Sequence, residues 1–477
     1  MRRVCSFFLL CAGVPFILPA QTYTTLHAFN GYSDGSEPSG TLVQATDGFL
    51  YGTTYLGTHI DNNTGGTIYK ISTSGAFTTL YDFCSPSGIC PQNIGPDAAL
   101  IQAPNGSLYG STYGVAEKSV FAGAIFEFKG GNAQMLHSFC STSGCLDGEN
   151  PAAALVRAPD GTFYGTTEFG GANCAPIGCG TVFKINQQGS LTTLYSFCKA
   201  AGCADGEYPL GTLVEAADGD FYGTTYFGGD NNLGTVFKIS PAGAFTKLAS
   251  LCTGTGPCNS LPQVGLVEAS NGDFYGTSLG GGTYLSGTVF KITPAGKVTT
   301  IYTFCSQANC ADGGLPTAAL IEGNDGNLYG CTATGGPGGQ GTIYRITPDG
   351  VLTTLYGSGA STLIQATDGN FYGTVSAGVT LTNGEVFQLS AGLAPFVAAL
   401  PRFGAVGATV EILGTALTGA TSVAFNGTAA VFQVISSSEI RATVPAGASS
   451  GKVQVVTPSG TLSSNVSFRV LPDGGAN

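Results

Sequence analysis

Short runs of apolar and β-branched residues alternate with turn dipeptides along most of the chain. The clearest landmark is a Tyr-Gly pair followed by small or hydroxyl residues, which occurs seven times, 43 to 58 residues apart. The seven tyrosines are Tyr51, Tyr109, Tyr164, Tyr222, Tyr275, Tyr329 and Tyr372. No stretch shows the 3.6-residue periodicity of an amphipathic helix. Self-similarity at this period indicates an array or a propeller.

Each copy predicts four antiparallel strands. An Asp-Gly or Asn-Gly turn precedes every Tyr-Gly strand, as at Asp160-Gly161, and such dipeptides favour a tight hairpin. The third and fourth strands are runs such as 181–185 and 192–197. The seventh copy lacks the fourth run, whereas residues 24–29 supply one near the N-terminus. The pattern therefore predicts an all-β fold with a seven-bladed β-propeller over residues 21–391, closed by its N-terminal strand.

The composition changes near the C-terminal end of the repeats. Residues 394–470 contain no cysteine and no tyrosine, and they read as six short strands separated by Gly, Asn and Ser turns. This pattern predicts a β-sandwich over residues 392–471, followed by a tail at 472–477.

The first twenty residues have the pattern of a signal peptide. Arg2 and Arg3 precede a mostly apolar run at 4–18, and Ala20 offers a small residue for cleavage. A lipid-modified Cys11 is the alternative. We therefore expect a secreted protein, in the extracellular space or at the cell surface, with the periplasm as a further possibility. No run elsewhere approaches the length of a membrane span.

Composition narrows the function classes. Hydrophobic residues make up 43% of the 477 residues, so the chain can bury a large core, while charged residues are only 10%. The formal net charge of −12 argues against a protein that tracks nucleic-acid phosphates. The 74 glycines and the many tyrosines and phenylalanines fit strands joined by tight turns.

Twelve cysteines fall into close pairs, each separated by four or five residues. The pairs are Cys84/Cys90, Cys140/Cys145, Cys174/Cys179, Cys198/Cys203, Cys252/Cys258 and Cys305/Cys310. In an exported protein they predict six local disulfides, with Cys331 left as a thiol. Metal binding is the rival interpretation. It needs four ligands around one ion, and five of the pairs recur once per repeat around the ring, so we expect no metal site.

Two families are indicated by these motifs. The copies DGDFYGTT at 218–225, GTVFKI at 234–239 and LTTLYSF at 191–197 resemble the GloVer tandem repeats of secreted bacterial "choice-of-anchor" proteins. That resemblance covers residues 22–391 and implies a secreted or surface location without an established reaction. Residues 404–414, 419–423, 440–445 and 451–456 resemble the IPT/TIG immunoglobulin-like family, whose modules usually mediate contacts or act as spacers.

Apparent catalytic motifs coincide with the repeat. The GTSLG sequence at 276–280 spells a nucleophile elbow, but it is one copy of the Tyr-Gly strand. The glycine-rich run at 335–341 lacks the helix and Lys of a phosphate loop. His27 and His137 occupy positions held by tyrosine in other copies, which leaves His59, beside Asp61, as the one histidine that could act as a base or ligand. We expect no catalytic residue.

Acidic residues recur in the connections between blades. These connections share one face of the predicted disc with the variable loops after the Tyr-Gly strands and with the cysteine pairs. Binding sites concentrate on such loops, although Asp-Gly and Pro also form turns for structural reasons alone. The candidate ligand-binding residues are Asp34, Glu37, Asp147, Glu149, Asp205, Glu207, Asp312 and His59. No cofactor is required by any motif, and Ca²⁺ is a possible ligand of these oxygens.

A second set occupies one strand position in all seven copies. Its members are Gln44, Gln102, Arg157, Glu215, Glu268, Glu322 and Gln365. If that strand is innermost, these residues ring the central channel, where they line water or hold an ion. The three consecutive carboxylates require compensation by a cation, by water or by Arg157.

These observations favour a secreted or cell-surface binding protein whose partner is an extracellular glycan or protein, bound on the face of the disulfide loops. The alternatives are an extracellular polysaccharide lyase or hydrolase, by analogy of fold alone, and a structural envelope component. The sequence makes no prediction about oligomeric state.

Overall fold

The computed structural model describes residues 21–31, 33–57, 65–84, 94–114, 122–141, 143–252, 258–376 and 383–472. Within these ranges all regular structure is β-strand, apart from 3₁₀ turns at Ala201–Cys203 and Ala308–Cys310. None of the helical segments in this part of the chain has the length and apolar character needed to span a bilayer. The predicted signal peptide, His59 and Cys90 lie outside the described residues, as does most of the tail.

The repeats fold as four-stranded antiparallel sheets, numbered here in chain order. Sheet 1 contains Val43–Gln44, Leu50–Thr54, Thr67–Ile71 and Phe77–Asp82. Sheet 2 contains Ile101–Gln102, Leu108–Gly114, Ala124–Lys129 and Asn132–Ser138, with Ile94–Pro96 as an added short strand. Sheet 3 contains Val156–Arg157, Phe163–Thr167, Thr181–Ile185 and Leu191–Ser196.

The pattern continues through the next three repeats. Sheet 4 contains Val214–Glu215, Phe221–Thr225, Thr235–Ile239 and Phe245–Ser250. Sheet 5 contains Val267–Glu268, Phe274–Ser278, Thr288–Ile292 and Val298–Thr303, and a separate strand pair, Asn259–Ser260 with Gly280–Gly281, lies beside it in the chain. Sheet 6 contains Ile321–Glu322, Leu328–Thr334, Thr342–Ile346 and Leu352–Tyr356, with Gly314–Pro316 added.

Sheet 7 is completed by the N-terminal strand, as the sequence predicts. Its order is Thr362–Gln365, Phe371–Val375, Glu385–Ser390 and then Thr22–Ala28, which pairs antiparallel with Glu385–Ser390. The ring of Tyr23 stacks on Tyr356 of sheet 6 with 4.1 Å between centroids. The N-terminal strand thus covers what would otherwise be an open sheet edge.

The glycine of the Tyr-Gly pair permits close approach of an aromatic ring. A Cβ at Gly165 would lie 2.6 Å from the Cζ atom of Phe183 on the adjacent strand, and Gly223 stands in the same relation to Phe237. Any larger residue would have to displace that buried ring. The repeated glycine is therefore a packing requirement, a role separate from that of the turn glycines.

Buried side chains join each repeat sheet to the next. Clusters connect sheets 1 and 2, 2 and 3, 3 and 4, 4 and 5, 5 and 6, and 6 and 7. One further cluster, which includes Phe29, Tyr69 and Tyr372, connects sheet 7 back to sheet 1. The core is therefore divided among the interfaces between sheets, and the succession of contacts returns to its start.

Residues 396–471 form a second unit, here called the C-terminal module. One sheet contains Ala398–Leu400, Thr409–Leu413, Glu439–Thr443 and Phe432–Val434, and the other contains Thr428–Ala429, Ser422–Phe425, Val453–Thr457 and Gly460–Ser463. A parallel pair, Phe403–Ala405 with Arg469–Leu471, is separate from both. The two sheets share one core that includes Ile412, Phe425 and Val455.

The C-terminal module contacts the hairpin turns that join the first two strands of several repeat sheets. Ser438 donates to the carbonyl of Thr46 in sheet 1 at 3.0 Å, and the Phe396 amide donates to the carbonyl of Thr367 in sheet 7 at 2.9 Å. In sheet 4, Arg469 donates to the carbonyl of Ala216 at 2.8 Å. In the closed succession of sheets, sheets 2 and 3 separate sheet 1 from sheet 4 in one direction, and sheets 5 to 7 separate them in the other. The module therefore contacts hairpin turns that lie far apart in this succession.

Candidate functional site

The four candidate aspartates lie inside the loops that follow the outermost strands. Asp312 is fully buried, and its carboxylate accepts hydrogen bonds from the Tyr302 hydroxyl at 2.8 Å and from the Ser306 amide at 2.9 Å. Asp205 makes the corresponding bonds with Tyr195 and the Lys199 amide. These carboxylates hold the loops closed.

In two copies histidine takes the place of tyrosine. Asp34 accepts from His27 at 2.9 Å, and Asp147 contacts His137 at 3.0 Å. Burial by itself would raise the pKa of Asp147, but the hydrogen bond from His137 and the amide contacts lower it overall. His27 and His137 are therefore partners of loop aspartates, a role that the sequence analysis did not assign. The recurrence of His or Tyr ten residues before Asp in three copies is the signal that could have found it.

The candidate glutamates lie at a different place in the same connections. Glu149 forms an isolated β-bridge with Phe169, and Glu207 forms the same bridge with Phe227. The backbone carbonyl of Glu37 accepts from the Tyr55 amide at 2.9 Å. The connections thus pair with the residues that directly follow the Tyr-Gly strands, on the edge that also carries the disulfide loops.

These contacts bring together a group of side chains from sheets 1 to 4, here called the acid–aromatic cluster. It comprises Tyr55, Asp97, Tyr113, Glu149, Asn150, Glu168, Phe169, Tyr208 and Phe227. All members except Asn150 are partly exposed. Of these residues only Glu149 is predicted from the sequence, because the others become neighbours only when successive sheets pack.

Hydrogen bonds and ring contacts run through the acid–aromatic cluster. The Tyr113 hydroxyl donates to the Oε2 atom of Glu168 at 3.2 Å. Phe169 and Tyr208 meet edge to face with 5.2 Å between centroids, and Tyr208 lies 6.1 Å from Phe227. Asn150 is 95% buried, since its exposure is 5%, and its Oδ1 atom lacks a hydrogen-bond partner. The cluster therefore combines aromatic rings with hydrogen-bond acceptors, one of which, the Oδ1 atom of Asn150, has no donor.

Burial changes the ionisation of the acids in the acid–aromatic cluster. It raises the pKa of Asp97 and of Glu149, and it raises the pKa of Glu168, to which the charges of Asp97 and Glu149 add. Burial together with the neighbouring Glu168 carboxylate raises the pKa of Tyr113 to about 12. Each of these acids therefore holds its proton to a higher pH than it would in the unfolded chain.

Glu168→Gln is expected to stabilise the protein at neutral pH. A carboxyl whose pKa is raised by folding favours the folded state most below its unfolded pKa, and this contribution is lost as pH rises through the folded pKa. The melting temperature of the variant should therefore exceed that of the wild type at pH 7, and the difference should shrink toward about pH 4. Asp349→Asn, which removes an exposed charge elsewhere, provides the control. A difference that is equal at both pH values would contradict the assigned shift.

The polar column lies on the first strand of each repeat sheet. In five of the seven interfaces, its side chain accepts a hydrogen bond from a backbone amide in the first turn of the preceding sheet. The pairs are Gln102 with Thr46 at 2.9 Å, Glu268 with Ala217 at 3.2 Å, Glu322 with Ser270 at 2.9 Å, Gln365 with Asn324 at 2.9 Å and Gln44 with Thr367 at 2.9 Å. These side chains tie neighbouring sheets together.

The two remaining interfaces have proline where the donating amide would be. Pro104 precedes the interface of Arg157, and Pro159 precedes that of Glu215. Since proline has no N–H, neither interface can form the bond. Glu215 instead forms an ion pair with Arg469 of the C-terminal module. Burial raises the pKa of Glu215, and the positive charge of Arg469 lowers it only in part, so the pKa stays above its ordinary value. Compensation of the consecutive carboxylates thus comes from backbone amides and from Arg469 and Arg402 of the module, whose charges lower the pKa values of Glu215 and Glu268 against the effect of burial.

Five of the six predicted disulfides are present in the described residues: Cys140–Cys145, Cys174–Cys179, Cys198–Cys203, Cys252–Cys258 and Cys305–Cys310. The pair Cys84/Cys90 falls partly outside that range. Cys331 is a free, fully buried thiol in the cluster between sheets 6 and 7, and burial raises its pKa well above the ordinary value. A thiol that stays protonated in an apolar core is a poor nucleophile.

The apparent catalytic motifs are structural, as expected. Ser278 of the GTSLG sequence is fully buried at the end of a strand and hydrogen-bonds to Thr288 at 2.6 Å. The glycine-rich run at 335–341 connects the strands Leu328–Thr334 and Thr342–Ile346. Neither segment begins a helix.

The fold is that of a tandem-repeat protein built from four-stranded antiparallel sheets. The family model described as the Gloeobacter/Verrucomicrobia repeat matches residues 12–146, 95–321 and 258–433. The chain belongs to this repeat family. No curated protein matches the chain. The resemblance of residues 392–471 to the IPT/TIG family stays a prediction.

Several solved structures are distantly similar. A candidate gluconolactonase shares 13% identity over 79% of this chain and 94% of its own, with a TM-score of 0.41. A candidate 6-phosphogluconolactonase from Bacteroides uniformis shares 17% identity over 68% of this chain and 89% of its own, with a TM-score of 0.43. A protein of unknown function from Bacteroides thetaiotaomicron shares 13% identity over 78% of this chain and 76% of its own, with a TM-score of 0.42. Likeness at this level carries no argument about activity.

Proposed function

We propose that the repeat sheets are the seven blades of a closed β-propeller and that the C-terminal module is an IPT/TIG-like domain. The clusters between successive sheets and the N-terminal strand of sheet 7 support closure. Local disulfides persist in oxidising compartments, which supports a location outside the cytoplasm. In this proposal the protein is exported and acts by binding.

The ligand in this proposal is a neutral glycan, bound at the acid–aromatic cluster. The observation that carries the proposal is the combination of partly exposed rings with hydrogen-bonding acceptors on the edge opposite the C-terminal module. Binding sites for small ligands combine apolar and aromatic walls with a few placed polar groups. Sugar hydroxyls can donate to the partly exposed carboxyl of Glu168, while the rings of Tyr113 and Tyr208 provide apolar faces.

The acids favour a neutral ligand over a polyanion. Burial raises the pKa values of Asp97, Glu149 and Glu168, and the charges of the first two raise that of Glu168 further, so an anionic ligand would add to the repulsion. A hydroxyl-rich ligand meets no such penalty. This part of the surface is also free of the C-terminal module, whose contacts described above involve the turns at the other edge.

Oligosaccharide binding should weaken when the acid–aromatic cluster is altered. The wild type is screened against neutral and acidic glycans, and the best ligand is titrated by calorimetry. Tyr113→Ala and Glu168→Gln should each raise the dissociation constant about tenfold, which corresponds to about 1.4 kcal/mol. Asp349→Asn removes the same charge from an exposed turn and should change binding less than twofold.

The same experiment distinguishes the alternatives. Equal loss of affinity in all three variants, or preference for acidic glycans, would contradict the proposed site. Release of shorter sugars during the titration would show that the protein is an enzyme and would overturn the non-catalytic part of the proposal. Because Glu168→Gln is expected to stabilise the fold, weaker binding by this variant cannot be attributed to unfolding.

A further inference from the structure

Two disulfides of sheet 3 lie side by side. Cys174–Cys179 belongs to the loop between the second and third strands, and Cys198–Cys203 follows the fourth strand. The Sγ atoms of all four cysteines lie within 4.8 Å of one another. Five of the six pairs recur once per repeat, as at Cys198–Cys203, and Cys174–Cys179 is the additional pair, which lies beside the repeat pair of its own sheet.

Specific contacts hold the two loops together. The side-chain amide of Asn173 donates to the carbonyl of Phe197 at 2.9 Å and to that of Ser196 at 3.2 Å. The Phe197 amide in turn donates to the carbonyl of Gly180 at 3.0 Å. Asn173 and Gly180 each border a cysteine of the first pair, and Phe197 precedes Cys198. The two loops are therefore held together by side-chain and backbone hydrogen bonds in addition to the disulfides.

We propose that Cys174, Cys179, Cys198 and Cys203, once reduced, form a tetrathiolate site for Zn²⁺. Tetrahedral coordination with Zn–S bonds of about 2.3 Å places neighbouring sulfurs ~3.8 Å apart. This separation falls within the 4.8 Å that contains the four Sγ atoms. Four residues separate the cysteines of each pair, which is within the spacing usual for structural zinc sites.

The surroundings suit the loaded site. Four thiolates and one Zn²⁺ carry a net charge of −2, and Lys199, directly after Cys198, supplies a nearby cation. Cys179 is 1% exposed, whereas Cys174 is partly exposed beside the exposed residues 175–177 and gives the ion a route to the site. The other candidate ligand group in the described residues has only three members, Cys140, Cys145 and Glu149. No second group in this part of the chain offers four ligands.

Loading requires a dithiol reductant. Two dithiol molecules each transfer two electrons and two protons to a disulfide, so four cysteine thiols form and the reductant becomes two disulfides. Binding of Zn²⁺ then releases up to four protons to solvent as the thiols become thiolate ligands. Two molecules of a disulfide oxidant, each accepting two electrons and two protons, return the four cysteines to two disulfides, and the ion is released. The site thus exists in a disulfide state and a metal state.

Co²⁺ provides a spectroscopic probe of this site. The full chain is reduced with a dithiol, freed of reductant by gel filtration under anaerobic conditions, and titrated with Co²⁺. We expect one equivalent to bind with the intense sulfur-to-cobalt charge-transfer absorption of tetrahedral thiolate, and Zn²⁺ should displace it. The oxidised protein should show no such absorption.

Matched double variants locate the ligands. Replacing Cys198 and Cys203 together by serine should remove the absorption and weaken Co²⁺ binding at least 100-fold. Replacing Cys305 and Cys310 together removes an equivalent disulfide from sheet 6 and should leave one equivalent bound. Equal binding by the two double variants would show that cobalt is held elsewhere, and the proposal would be wrong.

Folding of the reduced chain is measured in the same samples. Short disulfide loops contribute less loop entropy than long ones, and the clusters between sheets remain after reduction, so the reduced wild type should keep its β-sheet circular dichroism and a cooperative melting transition. Folded, reduced wild type that binds no Co²⁺ would overturn the proposal. Loss of the fold on reduction would overturn it as well, because the backbone contacts would then be insufficient to hold the four sulfurs together.

Discussion

Deletion of residues 21–30 is expected to lower the free energy of unfolding by about 5 kcal/mol or more. The deletion removes the N-terminal strand of sheet 7 and the ring of Phe29, which is 4% exposed in the cluster between sheets 7 and 1. Truncation of one buried phenylalanine alone costs about 3–5 kcal/mol. Exposure of Phe387 and of the unpaired sheet edge adds to this loss. Urea denaturation followed by circular dichroism measures the change.

Two controls separate closure from nonspecific damage. Thr24→Ala changes an exposed residue of the same strand and should alter stability by no more than about 0.5 kcal/mol. A synthetic peptide of residues 21–30, added to the truncated protein, should raise its denaturation midpoint by binding in place of the missing strand. An unchanged midpoint in the truncated protein would refute the closure by the N-terminal strand.

Arg469→Ala is expected to destabilise the attachment of the C-terminal module by about 3 kcal/mol. Arg469 is the partner of Glu215, whose side chain is 10% exposed, and it also donates to the carbonyl of Ala216. Removing one partner of a poorly exposed ion pair leaves the other charge unpaired, which typically costs 3–5 kcal/mol. We expect earlier unfolding of the module and faster proteolysis near residues 391–395, which precede it.

Arg441 supplies the matched control. Its guanidinium contacts Glu439 at 3.0 Å and Glu411 at 3.9 Å within the module, and its side chain is 50% exposed. Arg441→Ala should therefore cost less than about 1 kcal/mol. Combining Arg469→Met with Glu215→Leu should recover part of the stability lost in Arg469→Ala, because the poorly exposed Glu215 carboxylate is then removed together with its partner, while Arg402 keeps Glu268 as a neighbouring charge. Equal effects of Arg469→Ala and Arg441→Ala would contradict the assigned contact.

Local chemistry made much of the fold predictable. Asp-Gly and Asn-Gly turns identify hairpins because glycine accepts positive φ, as at Gly161, and the preceding Asp160 side chain accepts a hydrogen bond from the amide two residues on. Repetition of the same four runs then indicated sheets of the same order. The unpaired run at the N-terminus and the missing run at the C-terminal end of the repeats correctly predicted which strand completes sheet 7.

The candidate site was only partly predictable. Glu149 was identified from its place in a connection, but Tyr113 and Glu168 looked like ordinary members of two strand ends. Their proximity depends on packing between sheets 2 and 3. Asp205 and Asp312 were predicted as ligand-binding residues together with Glu207, because all three lie in connections between sheets. In the fold, the two aspartate carboxylates instead accept hydrogen bonds from Tyr195 and Tyr302 of the preceding strands.

The sequence by itself determined the strand order within each repeat, the local pairing of cysteines and the position of the polar column. These features depend on residues that are close in the chain or recur in register. The tertiary structure decided the partners across interfaces: Gln44 meets Thr367 across 323 residues, and Glu215 meets Arg469 across 254. It likewise decided that Cys174–Cys179 lies beside Cys198–Cys203. The physical reason is that turn propensity and alternation act over a few residues, whereas such contacts exist only after whole sheets have packed against one another.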